Sequence, residues 1–144
     1  LLAEEIRQHA DFGLGWISAQ ELDRLGLIES LCKAAREAVS QIKGEFDQVI
    51  IDGTINFLRG TKYESISQVV PKADFLVPEV SAASIIAKVS RDRYMLKVAE
   101  EYPQYQFPKH KGYGTKLHYE MIEQYGVSPV HRRSFLKKIL GENK

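Results

Sequence analysis

Residues 71–95 read PKADFLVPEVSAASIIAKVSRDRYM, and this stretch decides the architecture. Asp74 follows a β-favouring run that includes Ile66, Val69 and Val70. Four residues later Pro78 allows a turn and opens a helix, because the N–H it lacks has no intrahelical partner in a first turn. Glu79 then suits the positive end of the helix dipole. From position 80 to 89 the sequence is apolar or small almost all round, with Ala82, Ala83, Ile85, Ile86 and Ala87. A helix of that kind is expected to be buried, its small residues lying close to a sheet. A helix over 78–101 is predicted, with a carboxylate held beside it at a strand end, where α/β folds place ligand and metal sites.

Working outward, Val49-Ile50-Ile51-Asp52-Gly53 repeats the setting. The continuous β-branched run predicts a buried strand over 46–52, and a second strand is predicted over 65–73. Asp52 and Asp74 thus end consecutive strand candidates. In neighbouring parallel strands they would stand roughly 5 Å apart at Cα. Two carboxylates that close repel unless a cation or a proton intervenes. A hard, oxygen-ligated ion, Mg²⁺ or Mn²⁺, is the natural partner. Taken singly, each aspartate reads better as a cap of a strand end or helix; the repeated setting brings the two readings level.

The remaining order follows from local signals. A helix end is expected over 1–9 and a strand over 12–18 (FGLGWIS). Ser18 and Glu21 form a capping box. The helix they start breaks near Gly26, and a second runs on to about 43, stopped by Gly44. Further helices are expected over 116–125 and 129–140. Alternating strands and helices make the class α/β, and the absence of linkers or repeats makes 1–144 one domain.

Composition sets bounds. At 144 residues, 44% hydrophobic and 27% charged, the chain can bury a real core. A net charge of +1 does not announce nucleic-acid binding, so any basic surface must be local. Cys32 is the sole cysteine, which excludes an internal disulfide framework and fits a cytoplasmic protein with a buried thiol. No apolar run approaches 18 residues, so no membrane span is expected. The opening residues read as the middle of a helix, as if the beginning were absent.

Residues 109–116, KHKGYGTK, set lysines and a histidine around Tyr113 between glycines. Lysines contact phosphate, and an exposed aromatic can stack on a base or sugar. The alternative is a solvated loop whose tyrosine packs on the core. His131, Arg132 and Arg133 add a second basic cluster, or a solvated helix face. His9 and His118 have no partner at metal-ligand spacing and read as surface residues.

Five segments, VIIDG, KAD, SAASIIAKVSRD, KHKGYGT and SPVHRRSF, together resemble ribonuclease HII of the ribonuclease H-like superfamily. The resemblance implies a mixed five-stranded sheet flanked by helices, and four acids around divalent ions. It also implies hydrolysis of the RNA strand of RNA–DNA hybrids, including incision 5′ to a single ribonucleotide in duplex DNA. Asp52 matches the family's third acid and Asp74 its fourth, both as Mg²⁺ or Mn²⁺ ligands. Tyr113 matches the tyrosine that packs on the sugar at the RNA–DNA junction, and Lys109, Lys111 and Arg132 are expected to contact phosphates. The family's Asp-Glu-x-Gly-Arg-Gly strand has no counterpart here. The chain therefore resembles the C-terminal two-thirds of a ribonuclease H-like domain incomplete at its N-terminus. The complete enzyme is expected to be a monomer. The rival readings are a hybrid-binding module that does not cut, and a structural fragment that needs the missing segment.

Overall fold

The computed structural model describes residues 1–105, 113, 115–125, 128, 129 and 131. Its elements are helices α1 (Leu2–His9), α2 (Ala19–Leu25) and α3 (Leu27–Ser40), strands β1 (Val49–Asp52) and β2 (Ser67–Val70), then helices α4 (Ala73–Leu76), α5 (Pro78–Glu101) and α6 (Lys116–Tyr125). Short 3₁₀ turns at Glu64–Ile66 and Pro103–Tyr105 complete the order. The class is α/β, and among the described residues the sheet is one parallel pair, with Ile51 opposite Val69 and Asp52 opposite Val70. The chain divides into two compact units, Leu1–Ile17 with Leu25–Lys88, and Ser18–Arg24 with Val89–Lys144.

In the first unit, residues 12–18 are not a strand. Residues 13–15 lie close against α3 and Gln41 instead. A Cβ on Gly13 would sit 2.0 Å from the Ala38 carbonyl oxygen, and one on Gly15 would sit 1.9 Å from that of Ala34, so only glycine allows this approach. Leu14 finds its ladder partner in a side chain: its N–H donates to Gln41 Oε1 at 3.1 Å, and its carbonyl accepts from Gln41 Nε2 at 2.7 Å. Strand propensity needs a neighbouring strand to act on, and a glutamine amide supplies the same two bonds.

Helix α3 ends at Ser40, earlier than Gly44 suggested. The turn beyond it is held by the Asp11 carboxylate, which accepts the N–H groups of Lys43 (2.6 Å) and Gly44 (2.9 Å). These bonds, Gly44 first, hold the Asp11 carboxyl below its ordinary 3.8. Cys32 is buried, as expected. Leu58 is the most enclosed large side chain, and Asn56 Oδ1 caps its N–H at 2.9 Å.

Helix α5 spans the predicted residues, but it is not buried all round. Ile86 and Ser90 are buried, Ile85 and Val89 are half-buried, and Ala83, Ser84 and Ala87 are exposed. The exposed small residues form one wall of an open cleft of about 850 Å³ whose other wall carries Ile50 and Asp52. Small side chains permit close packing; they do not themselves supply the neighbour.

In the second unit the capping box forms as read, with Glu21 N–H donating to Ser18 Oγ at 3.1 Å. The core joins Met95 and Val98 of α5 to Tyr105 and to Met121 of α6. Tyr105 meets Tyr102 and Tyr125 edge-on, and burial pushes its hydroxyl pKa up. No described helix is long and apolar enough to cross a membrane.

Candidate active site

Asp52 is tied to the turn between β2 and α4. Register places Asp52 at the end of β1, opposite Val70. Gly53 continues the ladder, its N–H donating to the Val70 carbonyl at 3.2 Å, and its φ of 105° is a conformation that favours glycine. Beyond Val70 the chain reverses at Lys72, the sole described non-glycine residue with positive φ (57°). That left-handed residue directs the Ala73 N–H at Asp52, whose Oδ1 accepts it at 2.9 Å. Ala73 is fully buried, so the anchor is fixed. Asp74 is the next residue, half-buried in the first turn of α4.

Asp74 therefore does not end a strand, as its sequence setting suggested. The strand stops at Val70, because Lys72 breaks the extended backbone. Asp52 is nevertheless hydrogen-bonded to the backbone of the residue that precedes Asp74. Asp52 is exposed and lines the cleft, with Asp47 and Glu79 also on its rim. Among the described residues no group of three or more His, Cys, Asp or Glu side chains stands close enough to hold a metal ion. Two carboxylates are suitable hard donors for an oxygen-ligated dication, and Asp52 Oδ2 remains as a donor after Oδ1 is taken by Ala73. They provide part of a shell that Mg²⁺ ordinarily completes with water and phosphate oxygens.

Tyr113 belongs to the second unit. Its ring is 47% exposed, and the Arg91 guanidinium lies 4.9 Å from the ring centroid. It is not packed into the core. Lys109, Lys111 and Arg132, and most of the predicted helix over 129–140, fall outside the described residues.

The histidines correct the sequence reading. His9 is exposed, but His118 and His131 are buried, their Nε2 atoms 2.9 Å apart. His118 is not the surface residue its setting suggested, and His131 does not stand on a solvated face. The signal that could have found His118 is its place on α6. It precedes Met121 and Ile122 by three and four residues, which puts it on the helix's buried stripe.

Among the described residues, a parallel strand pair accompanied by helices makes the class α/β. The ribonuclease HII family profile matches residues 2–138, and the chain belongs to that family. The curated ribonuclease HII of Vibrio parahaemolyticus is 43% identical over 143 residues, covering 97% of this chain and 66% of its own length. That of Clostridioides difficile is 40% identical over 141 residues, covering 96% of this chain and 53% of its own. The crystal structure of the ribonuclease H2 from Pyrococcus horikoshii superposes with a TM-score of 0.66 at 26% identity, over 88% of this chain and 66% of that one. This chain thus spans about two-thirds of the length of the Vibrio relative, and less of the Clostridioides one.

Proposed function

We propose that this chain carries part of the catalytic centre of a metal-dependent endonuclease that hydrolyses the RNA strand of RNA–DNA hybrids. In the complete enzyme the reaction includes incision 5′ to a single ribonucleotide embedded in duplex DNA. The observation that supports this most is the bond from the Ala73 N–H to Asp52 Oδ1, which ties one acid to the neighbour of the other.

Asp52 and Asp74 would hold the divalent ion, Mg²⁺ or Mn²⁺. When bound, such an ion polarises the scissile phosphate and supplies a nucleophile at neutral pH. The chain's own contribution is placement. The anchor to Ala73 restricts rotation of the Asp52 side chain, so little ordering is left to do when the ion arrives. Two nearby negative charges disfavour each other and so favour a cation over an empty site. Tyr113 would pack on the sugar at the RNA–DNA junction, and Lys109, Lys111 and Arg132 would contact phosphates.

A second reading, a hybrid-binding or structural piece that does not cut alone, is favoured by one observation. Among the described residues no third metal-binding side chain joins the two aspartates. On this reading the chain reproduced here shows no hydrolysis until a segment bearing further acids is supplied.

The test is Asp52→Asn in the complete protein, assayed on a duplex with one ribonucleotide. The amide keeps an acceptor for the Ala73 N–H, so the turn survives while the charge is lost. Cleavage is expected to fall by more than about 100-fold, beyond the loss of an outer-shell partner, with hybrid binding largely spared. Unchanged turnover at saturating Mg²⁺ would refute the assignment.

A further inference from the structure

We propose that His118 and His131 form a hydrogen-bond relay that positions Tyr113, making them positioning residues for the junction contact. The proposal rests on the reading of Tyr113 as a substrate contact. Its starting point is a buried polar cluster that the metal chemistry does not use.

Both imidazoles are enclosed, 7% and 6% exposed, so each ring nitrogen needs a partner. Hydrogen positions follow from partners that can play a single role. The Ser128 backbone N–H stands 2.8 Å from His131 Nδ1 and can only donate, so that nitrogen carries a lone pair. The Ser128 hydroxyl lies 2.9 Å from the same atom. The His131 ring proton is then on Nε2, and it donates across 2.9 Å to His118 Nε2. His118 in turn carries its proton on Nδ1, which stands 3.0 Å from the Tyr113 carbonyl oxygen, a group that can only accept. Each ring nitrogen thus has a partner that fixes its role, and one backbone N–H sets the direction of the whole chain.

The relay ends on the residue whose ring is offered to solvent. The Tyr113 carbonyl also accepts the Thr115 N–H at 2.8 Å, and Thr115 Oγ1 accepts the His118 N–H at 3.2 Å at the start of α6. Tyr113 is thus held twice through its carbonyl and once through its ring, by Arg91 at 4.9 Å. The Tyr105 ring packs edge-on against His131 with centroids 4.7 Å apart, and Tyr119 stacks beside His118 at 6.4 Å. An apolar pair would fill this volume without two imidazoles to satisfy. A closed polar network instead fixes a geometry, and here the geometry fixed is that of an exposed aromatic.

The experiment has two arms. On the full chain, long-range ¹H–¹⁵N correlation of the histidine rings should find the proton on Nε2 of His131 and on Nδ1 of His118. The opposite tautomer at His118 would overturn the relay, whatever any variant does. In the complete protein, cleavage of a duplex with one ribonucleotide is compared for His118→Phe and His118→Asn. The phenyl ring keeps the volume and loses the bond, and kcat/KM should fall about three- to tenfold, as for one lost hydrogen bond. The asparagine amide can donate where Nδ1 did and should restore most of that loss. In a Tyr113→Ala background His118→Phe should add nothing. Full additivity there, or equal losses in the two His118 variants, would overturn the positioning role while leaving the Tyr113 contact intact. A silent Tyr113→Ala would instead remove the contact itself, and with it the relay's part in the reaction.

Discussion

The two units of this chain treat their polar groups in opposite ways. In the first, Asp52 stands exposed at the end of a strand beside an open cleft, anchored by a backbone bond from Ala73, with Asp74 half-buried one residue further on. In the second, two imidazoles are buried, and each nitrogen has its partner within the protein. An anchored carboxylate with an oxygen to spare is prepared for something that arrives from solution. A buried chain of bonded rings is tied to its own protein, so its value lies in what it holds still. Polar residues in one small protein can therefore be told apart by whether their bonding capacity is exhausted.

That contrast can be broken in order of expected effect. Tyr105, at 2% exposure, is the ring on which the second unit's core and its histidine pair both lean. Tyr105→Ala should destabilise the protein by about 3–5 kcal/mol, the range for deleting a buried aromatic ring. Urea denaturation checks it, and a loss below about 1 kcal/mol would show that the cluster does not depend on this packing.

Lys72 offers a gentler test of the first unit. A non-glycine residue in the left-handed region costs about 1–2 kcal/mol, so Lys72→Gly relieves strain while loosening the turn that aims Ala73 at Asp52. Stability should rise by no more than about 1 kcal/mol, while cation affinity at the aspartates should fall, if the turn matters for the site. A variant that gains stability and keeps its affinity would separate the strain from the function.

The smallest effect concerns Asp11, an exposed acid used purely for structure. Its folded pKa lies below the ordinary 3.8 because the Gly44 and Lys43 N–H groups favour the charged form. The stabilisation it contributes is therefore complete above that value and lost as pH falls through the folded one. Asp11→Asn should be less stable than the parent at pH 7, with the difference closing as pH drops below about 4. A gap that stays constant across this range would mean that the charge on Asp11 contributes nothing.

Much of this was legible in the sequence, and the failures share a cause. Proline, glycine and capping signals act locally, so α5 and α6 begin and end as read, and the Ser18–Glu21 box forms. Asp52 was legible because a β-branched run names its strand. Three expectations depended on a neighbour the sequence does not specify. Residues 12–18 have strand propensity, yet Gln41 occupies the edge. The small residues of α5 face open space. His118 and His131, 13 residues apart, meet only through tertiary packing. Asp74 stands in the first turn of α4 rather than at a strand end, because the strand is broken at Lys72 by a left-handed lysine that no propensity favours.

Asp52 and Asp74 are proposed to share a divalent cation. Titration with Mn²⁺, read as paramagnetic broadening of backbone amide signals, tests it directly and detects even weak binding. Broadening should centre on the amides of Gly53, Ala73 and Asp74, and both Asp52→Asn and Asp74→Asn should abolish it. Broadening centred elsewhere, around Asp47 or Glu79 for instance, or unchanged in either variant, would contradict the account.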